Sequence, residues 1–435
     1  MPNKPPENFD KWRRQLTRQI SSTRPNRVGG RKVPLRHTIQ YVDVKPVPAP
    51  SPMADKNTPV DWLFAFKFNS ETFLDSSDFE NLPNDGIFGG TKQEYKSGHS
   101  QAYVSASSAS PSLTKGTGCL GATENDTLGA TFKQIYNKNY FYVVWNDQLY
   151  GNPIANEDSP WGHSKGILAW NADGKGMVLQ VSTPSWPGSG SSATPRKNDG
   201  NTLGYIIKDD NILVSQHFFA LKLAKNDVID MLKALSNASV VTNLSEKSIV
   251  NNGGPEDIQA LVKSLGKKSV SRELVEATLS SGVKIISKPS FMHVPPWQMV
   301  SARLGGLGLR VASWWAAPKI YSTINGQTPD CWDSGVVGTP GAVEIATTGT
   351  WDGKIIGLKG GLGRNFNHAK IGISKDSQHP LCIFGDMNQQ GTMSGNCSSS
   401  QNGRGGTFYV LENQQLFTSL TSLLSGDSAP TTEPT

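Results

Sequence analysis

Dense apolar runs separated by Gly-, Ser- and Asn-rich stretches occupy most of this chain, and each run reads as a buried strand. They fall at 59–67 (PVDWLFAFK), 140–145 (YFYVVW), 176–181, 283–286, 309–314, 354–358, 368–374, 381–384 and 406–411. Between 226 and 282 the period lengthens to that of helices. Asn226 or Asp227 can cap a helix whose Val228, Met231, Leu232 and Leu235 share a face. Pro255 and Gly266 bracket a second, carrying Ile258, Leu261, Val262 and Leu265. A third is expected over 271–282 with Leu274, Val275, Thr278 and Leu279 inward, and a short one around 414–424 closes the fold. Strands alternating with helices predict an α/β fold rather than an all-β barrel.

The ends carry no such pattern. Residues 45–52 (KPVPAPSP) form a polyproline-like linker. The expected organisation is a disordered tail over 1–57, halves at 58–240 and 241–424, and a disordered end at 425–435. A Gly/Ser-rich region at 97–121 reads as loop or short β. The loop at 182–200 is too long for a simple turn and is a candidate substrate-side flap.

Charge changes this picture only at the tail. The net charge is +6, but residues 1–57 hold 12 Lys/Arg against 4 Asp/Glu, leaving 30 against 32 in the remainder. The basic excess suits a solvated leader, or an arm against phosphate backbone. No run reaches the roughly 18–20 apolar residues of a membrane helix, so no membrane contact is expected. Residues 1–36 are polar and basic, without the apolar core of an export signal. Cys119, Cys331, Cys382 and Cys397 make no metal-ligand cluster; Cys382 and Cys397 could bridge a loop.

The chemistry lies in a motif used twice. Asn367-His368-Ala369-Lys370 follows a Gly-rich run, and Gly162-His163-Ser164-Lys165 repeats the arrangement about half a chain earlier. On an extended strand, residues two apart face the same way, so each motif aims an imidazole and an ammonium at one target. Two such pairs suit phosphodiester hydrolysis. One histidine attacks phosphorus, the other protonates the leaving oxygen, and two lysines hold the non-bridging oxygens. Asn388, delivered by the strand before it, adds a neutral donor. No metal or other cofactor is needed. His217, inside an apolar run, reads as a satisfied core histidine.

At these residues the chain resembles the deoxyribonuclease II family of the phospholipase D-like superfamily. Six segments match in order: Pro59-Val60-Asp61-Trp62 with Lys67; Trp145-Asn146-Asp147-Gln148; His163-x-Lys165-Gly166; Asn367-His368-Ala369-Lys370-x-x-x-Ser374; Gly385-Asp386-Met387-Asn388; and Gly403-Arg404-Gly405-Gly406-Thr407. The resemblance implies two pseudo-symmetric phospholipase D-like α/β halves, each a central mixed sheet flanked by helices, sharing one active site. It implies metal-independent cleavage of double-stranded DNA at acidic pH, leaving 3′-phosphate and 5′-hydroxyl ends. His163, His368, Lys165, Lys370 and Asn388 would be catalytic, with a phosphohistidine intermediate. Asn146, Gln148, Arg364, Gln389 and Arg404 are candidate DNA contacts with little sequence specificity. A homodimer and a secreted or lysosome-like compartment are further expectations from resemblance alone. The alternatives are another phosphodiesterase of the superfamily and an inactive DNA-binding protein. Asn171 and Asn367 stand where the family carries Asp, which leaves Asp173 as a candidate carboxylate for His163. Cys331 and Cys382 match family cysteines.

Overall fold

The computed structural model describes residues 47–73, 102–117, 120–121, 125–136, 140–149, 154, 156–184 and 213–431. Cys119, residues 1–46 of the expected tail and most of the 182–200 loop lie outside the described residues.

Two large sheets carry the fold. After a short hairpin of β1 (Met53–Asp55) and β2 (Thr58–Pro59), the first sheet is built from β3 (Trp62–Lys67), β4 (Tyr103–Ser107), β5 (Ser110–Lys115), β6 (Phe141–Asn146), β7 (Lys165–Trp170), β8 (Gly176–Val181), β9 (Gln216–Leu223) and β10 (Val250–Asn251). Its order is β10-β6-β7-β8-β9-β3-β4-β5, and every neighbouring pair is antiparallel. The second sheet takes β11 (Val275–Thr278), β12 (Lys284–Lys288), β13 (Leu309–Ala312) and β14 (Val343–Ile345). After a separate hairpin of β15 (Thr348–Trp351) and β16 (Lys354–Gly357), it adds β17 (Ile371–Ser374), β18 (Leu381–Gly385) and β19 (Gly406–Glu412). Its order is β11-β12-β19-β18-β17-β13-β14, with β13–β14 its parallel pair.

The two orders share a kernel. In the first sheet β6-β7-β8-β9-β3 lie side by side, and in the second β13-β17-β18-β19-β12. Counted in chain order within each set, both run 2-3-4-5-1. The third strand follows a His-x-Lys motif in each. Short hairpins join β7 to β8 and β17 to β18, the other kernel neighbours are joined by longer connections, and the first sheet is antiparallel rather than mixed.

Period-2 alternation sorts the second sheet's side chains. Cys382, Phe384, Tyr409 and Leu411 enter the core shared with the first sheet, while Ile383, Phe408 and Val410 face a smaller core around Trp297. Phe384 stacks on Phe219 at 4.1 Å and on Phe64 at 4.8 Å between ring centroids, joining the sheets face to face. Among the described residues five helices flank them: α1 (Thr127–Tyr136), α2 (Lys225–Asn237), α3 (Glu256–Val262), α4 (Pro296–Arg303) and α5 (Gln414–Leu423). In α2, Asp227 sits in the first turn and its carboxylate accepts from the Ala224 N–H at 2.8 Å.

Several expectations change. Residues 271–282 do not form a helix: β11 pairs with β12 in register, Val275 opposite Ser287, and Gly282 turns the hairpin at φ 83°. Residues 47–57 are not loose. Met53 N–H donates to Thr131 Oγ1 at 3.0 Å, and Ser51 and Pro52 are buried against α1 and its neighbours. At the other end, Ala429 is buried and its N–H donates to Ile345 O at 2.8 Å. The boundary at 240 is crossed by β10, which pairs with β6 in the first sheet. The cysteine bridge joins Cys331 to Cys397, and Cys382 is a buried free thiol. Among the described residues no helix is long and apolar enough to cross a membrane.

Candidate active site

His163 and Lys165 stand at the entry to β7, and His368 and Lys370 just before β17, so neither motif lies wholly within a strand. The histidine backbones are anchored across the sheets instead. His163 N–H donates to Gly405 O at 2.8 Å, and His368 N–H donates to Ser215 O at 2.8 Å. All four side chains line a single cavity of about 300 Å³, together with Asn388, Gln148 and Arg404. The expected pairing of the two motifs at one site is what this geometry displays.

The two motifs differ in their surroundings. Lys165 Nζ lies 2.6 Å from Asp147 Oδ1, whose other oxygen accepts from Arg404 Nη2 at 2.8 Å. Burial pushes the Asp147 carboxyl up, but Lys165 and Arg404 outweigh it and hold the group well below the usual carboxylate range. Where Asp147 follows β6, Trp314 occupies the corresponding place after β13, and its ring meets His368 edge-on at 4.0 Å. Among the described residues Lys370 therefore has no carboxylate at ion-pair distance. Burial first, and Lys165 second, pull the Lys370 ammonium well down.

Imidazole orientation comes from backbone and from a buried network. His163 Nδ1–H donates to Asp386 O at 2.7 Å, which leaves Nε2 with its lone pair. The Asp386 carboxylate accepts from Thr407 N–H at 2.9 Å and Gln180 Nε2 at 3.0 Å. Gln180 Oε1 in turn accepts from His217 Nε2 at 3.3 Å, and His217 Nδ1 accepts the Lys370 N–H at 3.1 Å. His217 is thus a satisfied core histidine, as expected, but one that braces Lys370. His368 Nδ1 is buried without a partner.

Of the five candidate DNA contacts, Gln148 and Arg404 reach the cavity, as does the catalytic candidate Asn388, and the other three do not. Asn146 is buried, donating from Nδ2 to Thr183 O at 3.3 Å. Gln389 points away, donating to Gln298 Oε1 at 3.2 Å. Arg364 is exposed and reaches back to Ser70 Oγ at 3.4 Å. Arg404 lines the wall as part of a buried ion pair rather than as a loose phosphate hook. Asn171 and Asp173 also fall away from the site. They sit in the β7–β8 turn, at the far end of β7 from Lys165 and roughly 20 Å along the strand at about 3.3 Å per residue. Asn171 Nδ2 donates to Val47 O at 3.0 Å and Asp173 is exposed, so neither orients His163. Asn367 serves its own turn, with Oδ1 accepting the Ala369 N–H at 2.9 Å.

Burial is the first cause that lowers all three histidines near the site, His163, His217 and His368, well below 6.5. Lys370 and Lys165 add to this at His368; at His163 Lys165 adds to it and the Asp147 carboxylate opposes it. A depressed histidine leaves the unfolded chain binding more protons below pH 6.5. The stability of DNA-free protein should therefore be complete above that pH and fall as pH drops, by up to about 1.4 kcal/mol per pH unit for each histidine. Thermal unfolding from pH 7.5 to 5 measures it, and His217→Gln should flatten the slope by one proton.

An α/β fold that turns two imidazoles and two ammonium groups into one polar cleft carries equipment suited to a phosphodiester. The family model described as Deoxyribonuclease II matches residues 51–426, and the chain belongs to that family: it is a DNA-degrading nuclease. A related protein, Cell-death-related nuclease 7 of Caenorhabditis elegans, is 23% identical over 307 residues, covering 67% of this chain and 71% of its own length.

Proposed function

We propose that this nuclease is a metal-independent endonuclease of double-stranded DNA, with His368 as nucleophile and His163 as general acid. The observation that carries the reading is the meeting of both His-x-Lys motifs in one cavity. Burial and the surrounding lysines keep the His368 imidazole unprotonated, as a nucleophile requires. His163 is the better proton carrier, because the Asp147 charge favours its cation and Asp386 O accepts Nδ1–H in either state. Lys370, with no carboxylate beside it among the described residues, is left for the non-bridging phosphoryl oxygens.

In the first step a His368 ring nitrogen forms a P–N bond and the P–O5′ bond breaks. The departing oxygen takes the His163 proton. Water then attacks phosphorus, the P–N bond breaks, and His163 recovers a proton from that water. The products are a 3′-phosphate and a 5′-hydroxyl. Because His163 must carry a proton that burial opposes, the rate should rise as pH falls below 6.5. The shared 2-3-4-5-1 strand order and the exchanged histidine anchors support two phospholipase D-like halves related by pseudo-symmetry.

Supercoiled plasmid incubated in excess chelator from pH 4.5 to 8 tests the reading. Nicking that strengthens toward acid, with phosphatase-sensitive 3′ ends, is expected. Chelator-abolished nicking would sink the metal-free mechanism, and 5′-phosphate ends would sink the assigned bond.

A further inference from the structure

Two buried lysines outside the cavity occupy matching places in the two kernels. Lys67 ends β3 and Lys288 ends β12, the first strands of their sets, and both are fully buried. Lys67 Nζ donates to the carbonyls of Phe68 at 3.1 Å and Val214 at 2.7 Å. Lys288 Nζ donates to those of Pro289 at 3.4 Å, Asn402 at 2.8 Å and Arg404 at 2.8 Å. In each case one bond closes on the next residue, and another reaches the segment leading into the fifth strand.

The carbonyl one residue beyond each grip is a histidine anchor. Lys67 holds Val214 O, and Ser215 O receives the His368 N–H; Lys288 holds Arg404 O, and Gly405 O receives the His163 N–H. A buried ammonium is costly to desolvate, and a methionine would fill the same space without that cost. Both place donors on the backbone that seats a histidine of the other sheet. We propose that Lys67 and Lys288 are positioning residues, Lys67 for His368 and Lys288 for His163. Each fixes the carbonyl on which the opposite sheet's imidazole is hung. The low dielectric strengthens these charge-assisted bonds, so small drifts of the anchor are resisted. Burial brings the Lys288 ammonium down to about 7, so its grip should loosen in mildly alkaline solution.

The division of labour rests on the roles proposed for the histidines, and the test separates the two. Lys67→Met, Lys288→Met, His368→Ala and His163→Ala are compared in the full chain on plasmid DNA and on thymidine 3′-(4-nitrophenyl phosphate), whose leaving group needs no acid. A seat displaced by about 1 Å should cost on the order of 100-fold. Lys67→Met should repeat the substrate pattern of His368→Ala, and Lys288→Met that of His163→Ala, each in weaker form. This matching holds whichever histidine attacks, so swapped patterns at both histidines would revise the roles and leave the lysine assignment standing. Lysine variants that match the histidine of their own sheet, or that share one substrate pattern between Lys67 and Lys288, would overturn it. Lys67→Arg and Lys288→Arg keep charge and donors, and serve if a methionine variant does not fold. They should show the same pattern at a smaller loss, and two arginine variants with one common substrate pattern would equally overturn the proposal.

Discussion

His163→Ala should slow plasmid cleavage by about 10²–10⁴-fold, the usual worth of a general acid, yet hydrolyse thymidine 3′-(4-nitrophenyl phosphate) within roughly tenfold of wild type. Nitrophenolate departs without a proton, so the acid becomes dispensable while the nucleophile does not. His368→Ala should be inactive on both substrates. Release of nitrophenolate under matched conditions reads the difference directly. The reverse pattern, with the ester rescued only at His368→Ala, would exchange the two roles. The asymmetry behind the expectation is physical: burial and cations press on both imidazoles, but at His163 the Asp147 carboxylate opposes them.

Asp147→Asn should produce the second large effect, in stability and in pH dependence together. The carboxylate is shared by Lys165 and Arg404, both buried, and removing it strands two cations in low dielectric. Breaking such an arrangement costs about 3–5 kcal/mol, visible as a lowered midpoint of denaturation. The same charge raises the proton affinity of His163. Without it, the rise of activity on acidification should move to lower pH. A pH–rate profile that stays in place while stability falls would separate the structural role of Asp147 from any influence on the imidazole.

The site's chemistry was more legible than its walls. His163-x-Lys165 and His368-x-Lys370 announce themselves because a pair of ionisable groups recurs at half-chain spacing. Asp147 belongs to the Trp145–Gln148 segment, where Asn146 and Gln148 on either side of it read as the contacts. Strand register would have found it: Asn146 pairs with Lys165, so the next residue stands beside that ammonium as the chain leaves the strand. The same period-2 logic separates Asn388, which faces the cavity, from Gln389, which points away from it. Residues 271–282 misled because Leu274, Val275, Thr278 and Leu279 fit helical spacing, while the β11–β12 pairing that decides the matter is tertiary. β10 was invisible for a related reason, since two residues carry no periodicity and only their partner β6 makes them a strand. The disulfide could not be read from spacing at all: Cys331 and Cys397 are 66 residues apart, and Cys382, nearer in sequence, is buried elsewhere.

The exchanged anchors also set when the cleft can form as the chain is made. His163 takes its orientation from Asp386 O, 223 residues downstream, and its backbone seat from Gly405 O. A ribosome-bound chain that has released the first sheet still lacks both, so its histidine has no fixed aim and no partner motif. Only when β19 has left the ribosome and docked is the cleft assembled. Synthesis thus leaves the cleft unassembled until β19 has formed.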